Sequence, residues 1–281
     1  MTGRWSRVFI VVTLLVAASP SASPAQEDLL FEAADLHYRG DLAGAQALFE
    51  KVLTTDSSNA YARNQLALVL AKQAFFDRAL EEYGKVKAQD PKNTYARIWL
   101  GILFLRQGDL DRAFDEFRGV AELDPENADA HYFLGTIYNI RHQRRAAIEE
   151  LKLARDGDSD EPETHFRLAE AYHSAGMTAN AQLGYERALD LNPRHRGAMH
   201  GVGWIHYNAG RRDEAIVWWK RVLEINPGDR EAVFNLAKAY NDEAYAHYEK
   251  GETAQARRWW TKTLTVNPSN KAAKWYLGRI K

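Results

Sequence analysis

The chain has 281 residues, enough for one or two ordinary domains or for one elongated array. With 46% hydrophobic and 27% charged residues it is not a disordered chain, and a formal charge of −1 gives no global basic field to draw in nucleic acid. The absence of cysteine excludes disulfide staples, thiolate metal sites, a cysteine nucleophile and a lipid anchor on an N-terminal cysteine.

The first element is an export signal. Arg4 and Arg7 form a positive start with no acidic residue before Glu27, and Val8 to Ala18 is an apolar run of 11 residues. A small-residue stretch, Ser19 to Ala25, follows, with Ser23 and Ala25 at the spacing that signal peptidase reads. A bilayer core needs about 20 apolar residues, so the run is too short for an anchor helix. Residues 1–25 are therefore predicted to be a cleaved signal peptide, and the mature chain to start at Gln26. Without Arg4 and Arg7, 35 basic residues face 38 acidic ones, a formal charge of −3. No later stretch is apolar enough to span a membrane, so no stable insertion of the mature chain is expected.

From Gln26 onward the chain repeats itself. Ala45, Ala79, Ala113, Ala147, Ala181 and Ala215 follow at steps of 34 residues, and Ala256 comes 41 after the last. Four residues after each stands a large apolar side chain: Phe49, Tyr83, Phe117, Leu151, Tyr185, Trp219 and Trp260. Twelve residues before each of the first six lies a small one: Ala33, Ala67, Gly101, Gly135, Ala169 and Gly203. Two antiparallel helices approach closely only where side chains are small, so this pattern predicts helix pairs crossing at the small residues. Gly40, Gly108, Gly176, Gly210 and Gly251 fall where the first helix of a pair stops. Pro91, Pro125, Pro193, Pro227 and Pro268 end the second. In the third unit the helices are predicted at about 95–107 and 111–123.

The pattern resembles the tetratricopeptide repeat (TPR), whose units carry a leucine and a small residue in helix A, then an alanine, an aromatic and a proline. The resemblance covers Gln26 to Lys281 and implies an all-α, right-handed TPR solenoid. Its seven helix-turn-helix repeats would be 26–59, 60–93, 94–127, 128–161, 162–195, 196–229 and 230–270, closed by a capping helix at 271–281. Ser57 and Ser159 replace the usual proline, His142 replaces a turn glycine, and Glu32 takes the leucine site of the first repeat, as suits an end with no neighbour. Seven extra residues between Tyr240 and Gly251 are almost two helical turns, which keeps the helix face and predicts a lengthened helix A. That extension is either a tolerated insertion or a projecting docking element.

Enzyme motifs are missing: there is no phosphate loop, His-Glu-x-x-His, Gly-x-Ser-x-Gly elbow or kinase set. Gly201-Val202-Gly203 lies inside a predicted helix, where Gly203 is the crossing residue rather than a phosphate cradle. The nine histidines are read as packing or solvated groups, because no two stand at the i,i+4 spacing that favours a shared metal. In Trp218-Trp219 and Trp259-Trp260 the second tryptophan is the core aromatic. No enzyme activity, cofactor or metal is expected.

What the resemblance implies about function lies on helix A. In TPR arrays its second, fifth, ninth and twelfth positions line the concave groove. Here they include Tyr61, Asn64, Tyr95, Ile98, Ile102, Tyr132, Phe166, His173, His200, Trp204, Tyr207 and Phe234. Tyr132, Phe166, His200 and Phe234 are fifth residues one repeat apart, and are expected to align as a ladder. The Lys and Asn set of the chaperone-type arrays that grip a C-terminal carboxylate is not matched. The expected function is an exported scaffold, periplasmic in a Gram-negative cell, that binds a protein or peptide segment in this groove during envelope assembly or secretion. The alternative is an accessory subunit that holds a polysaccharide-synthesising enzyme or its glycan.

Overall fold

A computed structural model describes residues 23–280, and among them fifteen helices form seven pairs and a closing helix. The chain is an all-α solenoid of TPR units that divides into two compact parts, up to Ser159 and from Asp160. The first part holds α1 (Pro24–Arg39), α2 (Leu42–Thr55), α3 (Ala60–Lys72), α4 (Phe76–Gln89), α5 (Thr94–Gln107), α6 (Leu110–Leu123), α7 (Ala128–Ile140) and α8 (Arg144–Gly157). The second holds α9 (Pro162–Ser174), α10 (Thr178–Leu191), α11 (Arg196–Asn208), α12 (Arg212–Ile225), α13 (Arg230–Glu249), α14 (Thr253–Val266) and α15 (Lys271–Leu277). The reading of residues 1–25 as a signal lies, but for its last three residues, outside the described residues. Helix α1 starts at Pro24, just ahead of the expected mature start, with the Ser23 amide donating to Gln26 Oε1.

The helix ends are set by short polar side chains. Asn59, Asn93, Asn127 and Asp229 cap the first helices of their pairs and Asn270 caps the closing helix α15, each accepting from the amide three residues on at 2.9–3.1 Å. Ahead of them, Asp56, Asp90, Asp124, Asn226 and Asn267 accept from the amide two residues on and close the turn. The first helix of each pair, from α1 to α13, ends in one left-handed residue. Five are the expected glycines, and the others are Ala74 (φ 66°) and His142 (φ 58°), where a side chain carries the strain.

The core is the repeated aromatic pressed on the small crossing residue. Phe49, Tyr83, Phe117, Leu151, Tyr185, Trp219 and Trp260 are all buried. A Cβ added to Gly101 would come within 2.6 Å of the Phe117 ring, and one on Gly203 within 2.5 Å of Trp219. Glycine is needed at both places because only a bare backbone lets the ring approach. Burying each of these large side chains is worth about 1.5–3 kcal/mol.

The α7–α8 crossing is equally tight: an added Cβ on Gly135 would lie 3.2 Å from the Ala147 carbonyl oxygen, and Ala147 is fully buried. We predict that Ala147→Leu destabilises the protein by about 1–3 kcal/mol through overpacking. Chemical denaturation checks this, and an unchanged midpoint would mean that the crossing is slack.

The lengthened helix is as the spacing predicts. Helix α13 has 20 residues against 13 in α11, and residues 241–247 are helical throughout. The extension packs rather than projects. Ala244 is buried, and Tyr245 and Tyr248 lie 5.6 and 5.7 Å from Trp260, which stacks on Tyr276 of α15 at 4.5 Å. Among the described residues no helix is long and apolar enough to cross a membrane.

Candidate functional site

In the first part, the residues expected on the helix A side are half-buried. Tyr61, Asn64, Tyr95, Ile98 and Ile102 all fall in this class. The Tyr95 ring sits edge-on to Tyr83 and to Trp99, 6.3 Å from each, and burial pushes its phenol up to about 12. Asn64 Oδ1 is buried without a hydrogen-bond donor. Tyr132 is only 7% exposed, with its ring edge-on to Phe133 at 5.1 Å.

A second, polar device stiffens this part. Arg63 reaches Glu82 and the Ser57 carbonyl, both at 2.6 Å. Arg97 reaches Glu116 (3.1 Å) and the Pro91 carbonyl (2.9 Å). His131 reaches Glu150 (2.7 Å) and the Pro125 carbonyl (2.8 Å). Each links helix A to helix B and to the turn before it. The Arg/Arg/His and Glu/Glu/Glu series at the 34-residue step was legible, but only once the two series are seen to face each other. In the later repeats Gly184, Trp218 and Trp259 stand at the glutamate place, and the device gives way to aromatic packing.

In the second part the expected ladder does not form as an even row. Phe166 is only 9% exposed: its ring lies 4.7 Å from His195 and 6.0 Å from Tyr185. A Cβ on Gly197 would come within 2.7 Å of that ring, so the absent side chain at the start of α11 is what lets Phe166 lie flat. His200 is 8% exposed and faces Asp229 (3.3 Å) and Glu231 (3.8 Å) at the start of α13. Phe234 is different, at 61% exposed. His173 is exposed as well. The physical reason is that a fifth-position side chain packs on the start of the following helix A, and what stands there differs from repeat to repeat.

Around Phe234 the structure gathers a mixed patch. Phe234, Lys238 and Asp242 follow at four-residue steps along one face of α13, and the last two meet Tyr207 of α11. The Tyr207 hydroxyl donates to the Asp242 carboxylate and accepts from the Lys238 ammonium. The ammonium also lies 4.1 Å from the Tyr207 ring centroid. Trp204 stands perpendicular to Tyr207 at 5.5 Å and to Trp219 at 5.6 Å. Burial, then the hydrogen bond to Asp242, raise the Tyr207 phenol above its ordinary value, so it remains a donor at neutral pH. The patch therefore offers an exposed ring, a cation and a carboxylate within two turns. Lys238 and Asp242 were not among the expected site residues. Asp242 belongs to the inserted turns, whose contribution to this face shows only when α13 is laid beside α11.

The surface depressions lie elsewhere. One runs along α14 beside Arg258, Trp259 and Lys262, and a shallow one joins Gln107, Arg112 and Arg141. Both are open to solvent, so neither has the character of an enclosed ligand cavity. Among the described residues no group of three or more histidines and carboxylates could hold a metal ion.

Three solved structures show the same fold. The C-terminal part of a TPR repeat-containing protein from Cytophaga hutchinsonii is 17% identical with a TM-score of 0.69, over 88% of this chain and 99% of that one. Pseudomonas aeruginosa pilF is 19% identical with a TM-score of 0.68, over 76% and 97%. YrrB, a TPR protein described as having an unusual peptide-binding site, is 22% identical with a TM-score of 0.55, over 66% and 96%. No curated protein matches the chain in sequence. The family model of the tetratricopeptide repeat matches residues 64–128, 178–230 and 241–280, more than half of the sequence. With its small-residue crossings and paired helices, the chain belongs to the tetratricopeptide repeat family.

Proposed function

We propose that this protein is an exported protein–protein interaction scaffold that holds a segment of a partner along the helix A side of its second part, in envelope assembly or secretion. The repeat fold supports a protein–protein interaction scaffold, and the family and its structural neighbours are typically not enzymes. One observation carries the placement: Phe234 is left 61% exposed directly before the Lys238–Tyr207–Asp242 cluster. An exposed ring costs solvation and gains a purpose when a partner covers it. The flanking cation and carboxylate suit an amphipathic peptide, whose apolar side chain would meet Phe234 and whose polar groups would meet Lys238 and Asp242. Affinity capture from an envelope extract of the source cell tests this. A protein held by the wild type and lost with Phe234→Ala supports the placement, and equal retention overturns it.

Export rests on Arg4, Arg7 and the short apolar run that follows them. We predict a mature chain starting at Gln26, read by intact-mass measurement on protein from its native host. A product that keeps residues 1–25 in a membrane fraction contradicts it.

A further inference from the structure

The two ends of the described chain carry surfaces of opposite sign, each with exposed aromatic rings. On α1 the outward stripe includes Asp28, Phe31, Glu32, Asp35 and Tyr38, spaced along one helix face. Phe31 is 58% and Tyr38 92% exposed. Asp35 pairs with Arg39 at 2.9 Å, which leaves Asp28 and Glu32, with Glu27 beside them, to set an acidic face. At the other end, Thr253 to Ile280 contains six basic residues and no acidic one. The outward stripe at this end is Lys271, Lys274 and Trp275 of α15 with Arg279 just beyond the helix, Trp275 being 51% exposed and the Arg279 guanidinium 3.8 Å from its ring centroid.

The α1 stripe is also a surface that later repeats cover. The place of Glu32 is taken by Leu66, Leu100, Leu134, Leu168, Val202 and Leu236, all buried. In every later helix A this side is shaped to receive a neighbouring helix, and in α1 it is left open and made acidic. A polar cap alone would keep an array soluble. It would not require the two ends to differ in sign, nor leave three large rings uncovered.

We propose that the basic α15 face of one copy docks on the acidic α1 face of a second copy, giving head-to-tail assembly. Either face against its own like is repulsive, so a two-fold dimer through one end is disfavoured. The contact is heterologous, and such contacts continue into rings or filaments. Opposite charges steer the encounter, and Phe31, Tyr38 and Trp275 supply the apolar area between them.

Sedimentation velocity on the full mature chain tests this over a concentration series at low and high salt. The expected result is a rise from monomer to larger species with concentration, weakened by salt because the contacts are at the surface. Replacing Lys271, Lys274 and Arg279 together by Glu, or Asp28, Glu32 and Asp35 together by Lys, is expected to weaken assembly at least about tenfold. Mixing the two variants should restore it, because each reversed face then meets an opposite one. All six side chains are exposed, and an unchanged melting curve is required of both variants; Glu32→Gln and Lys274→Gln serve as milder forms if it shifts. A single monomeric species at every concentration in low salt overturns the proposal. So does assembly that ignores both reversals, or a mixture that fails to reassociate.

Discussion

Trp260→Ala is expected to cost about 3–5 kcal/mol, the range for truncating a large buried aromatic. Trp260 is fully buried in α14, on the small residue Ala256 one turn earlier and under the last two turns of α13. Its ring stacks on Tyr276 at 4.5 Å and meets Tyr245 edge-on at 5.6 Å, so it joins three helices in one cluster. Aromatic pairs of this geometry contribute about 0.5–1.5 kcal/mol each beyond burial. With the ring removed, α15 and the extension of α13 lose their common partner. Chemical denaturation, with hydrogen exchange read on α15, should show both the lost stability and early exposure of that helix. Trp259→Ala provides the contrast, because Trp259 is half-buried with Lys262 3.7 Å over its face. It should lose about 1 kcal/mol, the scale of a surface cation–π contact. Equal effects from the two would contradict the assignment of the second tryptophan of the pair to the core.

Most of the fold is legible because its determinants are local and repeated. A small residue at the crossing, an alanine one helix later and a ring four residues on are dictated by the distance between two helices. That distance is the same in every repeat. The lengthened α13 was readable too, since seven residues keep a helix in phase. The site is less legible. Whether a fifth-position ring is open depends on the next repeat, where Gly197 admits the Phe166 ring and Asp229 and Glu231 enclose His200. Those partners lie about one repeat away, and no single repeat reports them. Likewise Asp242 gains meaning only because α13 packs beside α11, which brings its carboxylate to the Tyr207 hydroxyl. In five of the seven turns that follow a second helix the N-cap is an Asn or Asp three residues after the Asp or Asn that opens the turn, and Glu161 and His195 take that place in the other two.

Phe234→Ala is the second substitution with a large expected effect, and it bears on function alone. A partially exposed aromatic anchor that becomes covered on binding contributes about 2 kcal/mol or more. Its removal should weaken capture at least about tenfold, the factor that 1.4 kcal/mol represents. The fold should be untouched, because Phe234 is 61% exposed. Phe166→Ala should behave in the opposite way. Its ring is covered by His195, Tyr185 and the bare backbone of Gly197, so truncation should cost about 3–5 kcal/mol of stability.

The most direct measurement is calorimetric titration of the captured partner segment into three folded proteins: wild type, Phe234→Ala and Lys238→Ala. The account predicts a Kd raised at least about tenfold by Phe234→Ala, a smaller rise with Lys238→Ala, and unchanged melting curves for the first. A Phe234→Ala protein that is fully folded and binds the segment as tightly as wild type would contradict it, and would place the partner off the helix A side of the second part.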